Sequence, residues 1–586
     1  MATRNTHSGR SDARCLKSMA NFIRQAPCTR SQNLVTPHAQ SQLLLCISPI
    51  AGSLSPHPLS SCVYDLYRAY FSSLFLPEAM TVGPTIGTGL FVGTGQALAV
   101  GGPASLILAY IFISGLVFCL TTAIAEISTH SLARNGAMIA HTYHYTSSHI
   151  GFAISYLRWI ALSVMVPFEV TTAMVNLGLW EPGSSIALRM GAVMGVIFIF
   201  NMLPDKIFRR TQALFTGIKV VTAVGLIMIS FYLAIRASQP DGIVGGFEYW
   251  NDPGAFNQFL LRGDGGRLLG LLYCILCSTI TFVFVPELTV QRAEQHDSEP
   301  GNSIFRSTRN GNIVMFFLYI MSALATTAMS PFDDQSLTNE GTGAGLSPYV
   351  VGANDSEIHL LPVIVTGAIF LSSVASGRSF LHLSSRMLSS MAETGHAPAM
   401  FMVRNRWNVP YMAVAISAGF AWLTYLSMAT SSSRVFNYLM FFITTCGYLS
   451  WMCSCISYLR YRRVVNKAEI LPVHRSFVQP YGAWFALVVS LLLTTLNLLQ
   501  IVVAPVPQFN PFNAVPAYLA VGMFGLMYGG HRLITAVRKK SAQLEAPPVE
   551  VRGELDEEQS QEQVIEMQMH RREDESPITP TPHAFS

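Results

Sequence analysis

Between residues 71 and 534 the chain alternates long apolar runs with short polar stretches. The runs cover approximately 71–100, 104–126, 151–178, 187–203, 212–235, 268–290, 311–329, 360–391, 410–428, 435–459, 480–504 and 513–534, twelve in all. A helix of about 20 apolar residues crosses roughly 30 Å of hydrocarbon. Within lipid every backbone group must bond inside its own segment, which selects helices. The pattern predicts an all-α polytopic membrane protein embedded in the lipid bilayer.

Two of these runs are interrupted. The first contains GPTIGTGLFVGTG from Gly83, with five glycines and Pro84. The sixth reads STITFVFVPELTV, with Pro286 beside Glu287 at a comparable depth. Proline removes a donor, glycine tolerates non-helical dihedrals, and irregular backbone inside a bilayer survives only where it is buried or lines a cavity. Gly83 with Gly87, or Gly89 with Gly93, also forms a small-xxx-small helix contact, an alternative reading of the first run. Paired interruptions in two halves of a chain point instead to a transporter's binding site. Free N–H groups near Gly87, Thr88 and Gly89 would hold a carboxylate. Carbonyls freed near Phe284 and Val285 would accept from an ammonium group. An α-amino acid carries both charges in one small unit.

Glu126, Glu169, Lys219 and Glu287 are ionisable residues in or beside the spans. Such groups usually mark ion pathways or pairs. Lys219, about eight residues into the fifth run, either snorkels to the interface or loses and regains a proton as access alternates. A lysine there would repel sodium, which favours protons as the coupling ion. Glu126 reads as a boundary carboxylate facing the cytoplasm.

Composition agrees with the pattern. Of 586 residues 51% are hydrophobic and 12% charged, with a mean hydropathy of +0.39. Soluble proteins carry about 25% charged residues. Lys and Arg number 14 in one set of connections and 5 in the other, which places both termini in the cytoplasm. Residues 1–65 and 536–586 read as disordered cytoplasmic tails flanking a transmembrane domain over 66–535, and cytoplasmic regulators could engage them. The Arg- and Ser-rich start could also suggest a presequence. Cysteines lie mostly inside spans without framework spacing, so free thiols are expected. The sequon at Asn354 lies close to the next span and is expected to stay unmodified. His141, His144 and His149 read as surface loop residues. No phosphate loop, nucleophile elbow, zinc-protease motif or nucleic-acid-binding feature is present, so neither an enzyme nor a cofactor-dependent pump is expected.

IGTGLFVGTGQALAVGGPASLILAY (86–110) closely resembles the first-to-second-span signature of the fungal amino acid permeases, in the amino acid–polyamine–organocation superfamily. The resemblance continues through VPFEVTTAMVNLGLW (166–180), the Lys219 segment, SGRSFLHLSSRMLSSMAETGHAP (376–398), SSSRVFNYLMFFITTCGYLSWMCSCISYLRYRR (431–463) and VQPYGAWFAL (478–487). It implies twelve transmembrane helices, two inverted five-helix repeats with two trailing helices, and discontinuous spans 1 and 6. It also implies proton-coupled uptake of amino acids at the plasma membrane. The family's carboxylate-binding turn falls on Ile86, Gly87, Thr88 and Gly89, and its sixth-span break on Phe282 to Glu287. Its coupling lysine matches Lys219 and its third-span glutamate matches Glu169.

Three departures from the family pattern stand out. Pro77 and Glu78 occupy the approach to the first span. Val285 or Pro286 replaces a glycine in the sixth, and Arg378 stands in the eighth where many relatives have asparagine. The alternatives to transport are a non-transporting nutrient sensor on the same fold, or an inactive product of a misread gene start.

Overall fold

The computed structural model describes residues 85–130, 137–177, 186–237, 246–288, 301–337, 347–354, 360–429, 432–467, 476–503 and 515–545. All of them belong to the compact unit Ser72–Ser586. The N-terminal tail, Gly83, Pro84 and the approach with Pro77 and Glu78 lie outside the described residues, as does the C-terminal tail beyond 545.

In chain order the helices are α1 (Thr88–Phe91), α2 (Gly93–His130), α3 (Ala137–Tyr145), α4 (Ser148–Leu177), α5 (Ile186–Asn201) and α6 (Asp205–Ala237). There follow α7 (Asp264–Ser278), α8 (Gly301–Met329), α9 (Pro348–Asn354), α10 (Leu361–Glu393) and α11 (Tyr411–Gly419). The last are α12 (Leu426–Ala429), α13 (Ser432–Lys467), α14 (Tyr481–Val503) and α15 (Val515–Glu545). Among the described residues nine helices are long and apolar enough to cross a membrane. One of the nine, Thr88–Ser128, contains the later part of the first expected run and all of the second. They join at Gly102, whose φ of 79° breaks the helix just before Pro103. The joint is covered from outside the bundle. Asn257 N–H donates to the Gly101 carbonyl at 3.1 Å and Ala104 N–H to Ala255 at 2.9 Å.

Burial separates the inner helices from the outer ones. The most apolar windows of α4, α13 and the Asp264–Leu288 segment are each 78% buried, whereas that of α6 is 28% buried. Along α6 the residues Gln212, Thr216, Lys219, Ala223 and Ser230 recur at helical spacing and are buried, while Leu214, Val221, Met228 and Ile235 are exposed. In a membrane protein that exposed apolar face is the lipid face.

Several expectations change. α15 continues to Glu545, so the first ten residues assigned to the disordered tail are helical. His141 and His144 lie on α3 rather than in a loop, and His141 is buried. His149, on the first turn of α4, places Nδ1 2.7 Å from Nδ1 of His531. Glu126 does not face the cytoplasm. It is 1% exposed, pairs with Arg462 at 2.8 Å and accepts from Tyr458 at 3.0 Å. Helical spacing puts Tyr458 and Arg462 on one face of α13, and the pair satisfies a carboxylate that sequence position alone would leave at the boundary.

Candidate substrate-binding site

The described backbone is non-helical at both expected places. Residues 85–87 form a turn, and the N-cap residue Gly87 is extended with no side chain to cap α1. The α1 turn is closed by Leu90 and Phe91 N–H groups donating to the Gly87 carbonyl at 3.1 and 3.2 Å. In the sixth run α7 tightens into a 3-10 turn at Thr279–Thr281, turns through 282–284, and becomes helical again over 285–288.

The two interruptions face each other. A Cβ added to Gly89 would lie 3.0 Å from the Thr281 Cα, so only glycine lets the first break approach the second this closely. A narrow cavity opens between them. Thr85, Gly87 and Gly89 line it from the first break, and Ile280, Thr281 and Phe284 from the second. Met165 and Glu169 of α4 and Phe380 of α10 complete the wall. Phe284 and Phe380 meet with ring centroids 5.6 Å apart, which gives the cavity an apolar side.

The polar side centres on Gly87. A Cβ there would stand 2.6 Å from Ser376 Oγ and 3.1 Å from Glu169 Oε1, so both groups crowd the turn. Ser376 Oγ accepts from Lys219 Nζ at 2.5 Å. Lys219 and Glu169 are each 2% exposed and interact electrostatically. The Glu169 carboxylate also interacts with the Thr88 backbone N–H. Its Oε2 has no hydrogen-bond partner among the described residues. Burial of Lys219 against Ser376 leaves no room for the snorkelling reading.

A profile described as amino acid permease matches residues 79–543. The chain belongs to the amino acid permease family. Similar to it are a proline-specific permease of Emericella nidulans, 30% identical over 78% of this chain and 83% of that protein, and one of Saccharomyces cerevisiae, 31% identical over 78% and 74%. A probable proline-specific permease of Schizosaccharomyces pombe is 31% identical over 76% of this chain and 82% of that protein. In fold it resembles a solved manganese transporter of Eremococcus coleocola, with a TM-score of 0.52, 15% identity, and coverage of 82% of this chain and 97% of that one. The protein is therefore a multi-pass membrane permease built for amino acid transport.

In this permease Gly87, Gly89, Phe284 and Glu169 line the cavity, and Thr88 abuts it through Glu169. Ile86 is fully buried, with its carbonyl facing Ser372 and Ser376 at 3.4 and 3.5 Å. The remaining expected residues point elsewhere. Phe282 packs behind the cavity, its ring 5.5 Å from Tyr110 and 5.2 Å from Tyr319. Val285 is buried in the core. The Phe284 carbonyl accepts from Leu288 N–H at 3.1 Å, and the Val283 carbonyl accepts from Trp451 Nε1 at 3.1 Å. Of the carbonyls expected to await an ammonium group, that of Phe284 is thus taken up by the resumed helix, and the neighbouring Val283 carbonyl is taken by α13.

Glu287 is also turned away from the cavity. It accepts from Ser450 Oγ at 2.9 Å and lies 3.7 Å from Arg158 Nε. Arg158 in turn donates to Ser450 Oγ at 2.6 Å and to Ser454 Oγ at 2.8 Å. Sequence reasoning missed Thr85, Met165, Ile280, Thr281, Ser376 and Phe380. Thr281 and Ile280 border the Phe282 break and could have been included on position. Ser376 and Phe380 carry no sequence signal, since α10 holds seven other serines and its pocket face is set by packing.

Proposed function

We propose that this permease imports a small neutral amino acid, proline-like in size, across the plasma membrane by proton symport and alternating access. The carrying observation is the buried group of Glu169, Ser376 and Lys219 gathered around the Gly87 turn. Twelve crossings with an inverted repeat and cytoplasmic termini are the topology this reading adopts.

The geometry supplies a coupling rule. The substrate carboxylate needs the Thr88 and Gly89 N–H groups, and the ionised Glu169 already interacts with the first of them. Two carboxylates a few ångström apart repel at low dielectric. Protonation of Glu169 removes that conflict, so amino acid and proton enter together. Lys219, joined to the same turn through Ser376, exchanges a proton when the site opens inward. The substrate's ammonium faces the Glu169 and Thr281 side, and its side chain lies against Phe284, Phe380, Met165 and Ile280. That wall holds no charge to pair a cationic side chain. The proline-specific names of the 30–31% identical relatives agree with this wall, whereas a basic amino-acid permease of Saccharomyces cerevisiae is 25% identical.

The test is uptake of labelled L-proline into transport-deficient yeast expressing the full chain, with and without a protonophore. Concentrative uptake that collapses with the proton gradient is expected. Accumulation indifferent to the gradient would remove proton coupling, and absence of proline competition would remove the substrate assignment.

A further inference from the structure

Arg378 is 1% exposed on α10, two residues beyond Ser376, and no described carboxylate lies within ion-pair distance of it. Its guanidinium donates to Thr211 Oγ1 at 2.6 Å and to Gln212 Oε1, both on α6. The rings of Phe208, Phe215 and Phe200 surround it at 4.4, 5.0 and 5.8 Å. Nε has no partner among the described residues. A buried charge is usually matched by an acid, because desolvation is otherwise uncompensated. Here hydroxyl, amide and aromatic faces hold it, and each of these gives way to water more readily than a buried carboxylate does.

These contacts belong to a polar row between α6 and α10. From the cavity outward it runs through Lys219–Ser376, Gln212–Ser379 at 2.9 Å, Gln212 and Thr211 with Arg378, stacked Phe208–His382, and Asp205–Arg386. Charge counting puts the Asp205 end in the cytoplasm. The opposite face of α6 meets lipid.

We propose that Arg378 is a positioning residue, the latch that holds α6 to α10 on the cytoplasmic side of Lys219, whose release hydrates a path from Lys219 to the cytoplasm. The inference rests on the coupling role proposed for Lys219. Arg378 bonds two successive α6 residues at once, and its unmatched charge gains solvation when the row opens. Closed and open arrangements are thereby kept close in free energy, as a switching element requires.

Thr216 lies on the buried α6 face between Gln212 and Lys219, so Thr216→Cys reports opening. The full-length protein is labelled in inside-out vesicles with a membrane-impermeant maleimide, and the signal is read above that of the parent chain. Labelling should be low at rest and rise about tenfold when proline and a proton gradient drive turnover. Adding Arg378→Met or Arg378→Lys should raise resting labelling to that level, while proline exchange persists and accumulation falls about tenfold. Low resting labelling in both variants, with exchange intact, would overturn the latch. Labelling accompanied by loss of exchange in both would make Arg378 a structural residue only and overturn it equally. Lys219→Ala in the Thr216→Cys background separates the two readings. Retained accumulation there refutes the coupling role, while the labelling still reports on the row.

Discussion

The two interrupted spans look alike in sequence, each a breaker inside an apolar run, yet the structure uses them differently. At the first, the turn at Gly87 meets Ser376 and the Glu169 carboxylate, which interacts with the Thr88 N–H and lies on the wall of the cavity. At the second, the freed Val283 carbonyl is taken by Trp451, and the nearby Glu287 is bound by Ser450 and Arg158. The first break is held by an ionisable group at the cavity and by serines of α10, whereas the other is tied to α4 and α13 away from the cavity and contributes shape through Phe284. Irregular backbone in a membrane therefore has two outcomes, and which one applies depends on whether the neighbours that hold it also line a cavity.

Substitutions can break this contrast. Gly87→Leu should have the largest effect, abolishing saturable proline uptake with the protein still at the membrane. Even its Cβ would collide with Ser376 Oγ at 2.6 Å. Normal affinity in competition assays would relocate the site. Lys219→Ala should eliminate concentrative uptake while counter-exchange survives, measured as the ratio of accumulated to exchanged label. Gradient-driven accumulation in that variant would leave Lys219 a packing residue.

At the tied break the effect should fall on stability. Glu287→Gln leaves Arg158 buried without its carboxylate and should cost about 1–3 kcal/mol, below the full price of a broken close pair because the ions stand 3.7 Å apart. Thermal unfolding in detergent should show the loss, with the KM for proline unchanged within about twofold. The double variant with Arg158→Gln should recover part of it. A large KM change would return Glu287 to the binding site. Smallest is Trp451→Phe, which removes one hydrogen bond to Val283 and should cost about 0.5–1.5 kcal/mol in the same measurement.

The membrane class and the two breaker-rich stretches were legible in the residues, because apolar length and breaker chemistry act locally. Gly87, Gly89, Glu169 and Lys219 were legible for the same reason: a glycine cluster and ionisable groups inside hydrocarbon are anomalous wherever they occur. The direction in which each group points was not. Phe282 and Phe284 are two residues apart, yet a 3-10 turn ahead of them sends one ring behind the cavity and the other into it. Glu287 was grouped with the substrate because its partners, Arg158 and Ser450, lie 129 and 163 positions away in the chain. Ser376 and Phe380 enter the site only because α10 crosses the first break. Sequence alone thus determined what the bilayer permits segment by segment, since solvation of a residue depends on its own chemistry. Tertiary structure decided which polar groups found partners and which stayed open to a ligand, since that depends on helices brought together from distant parts of the chain.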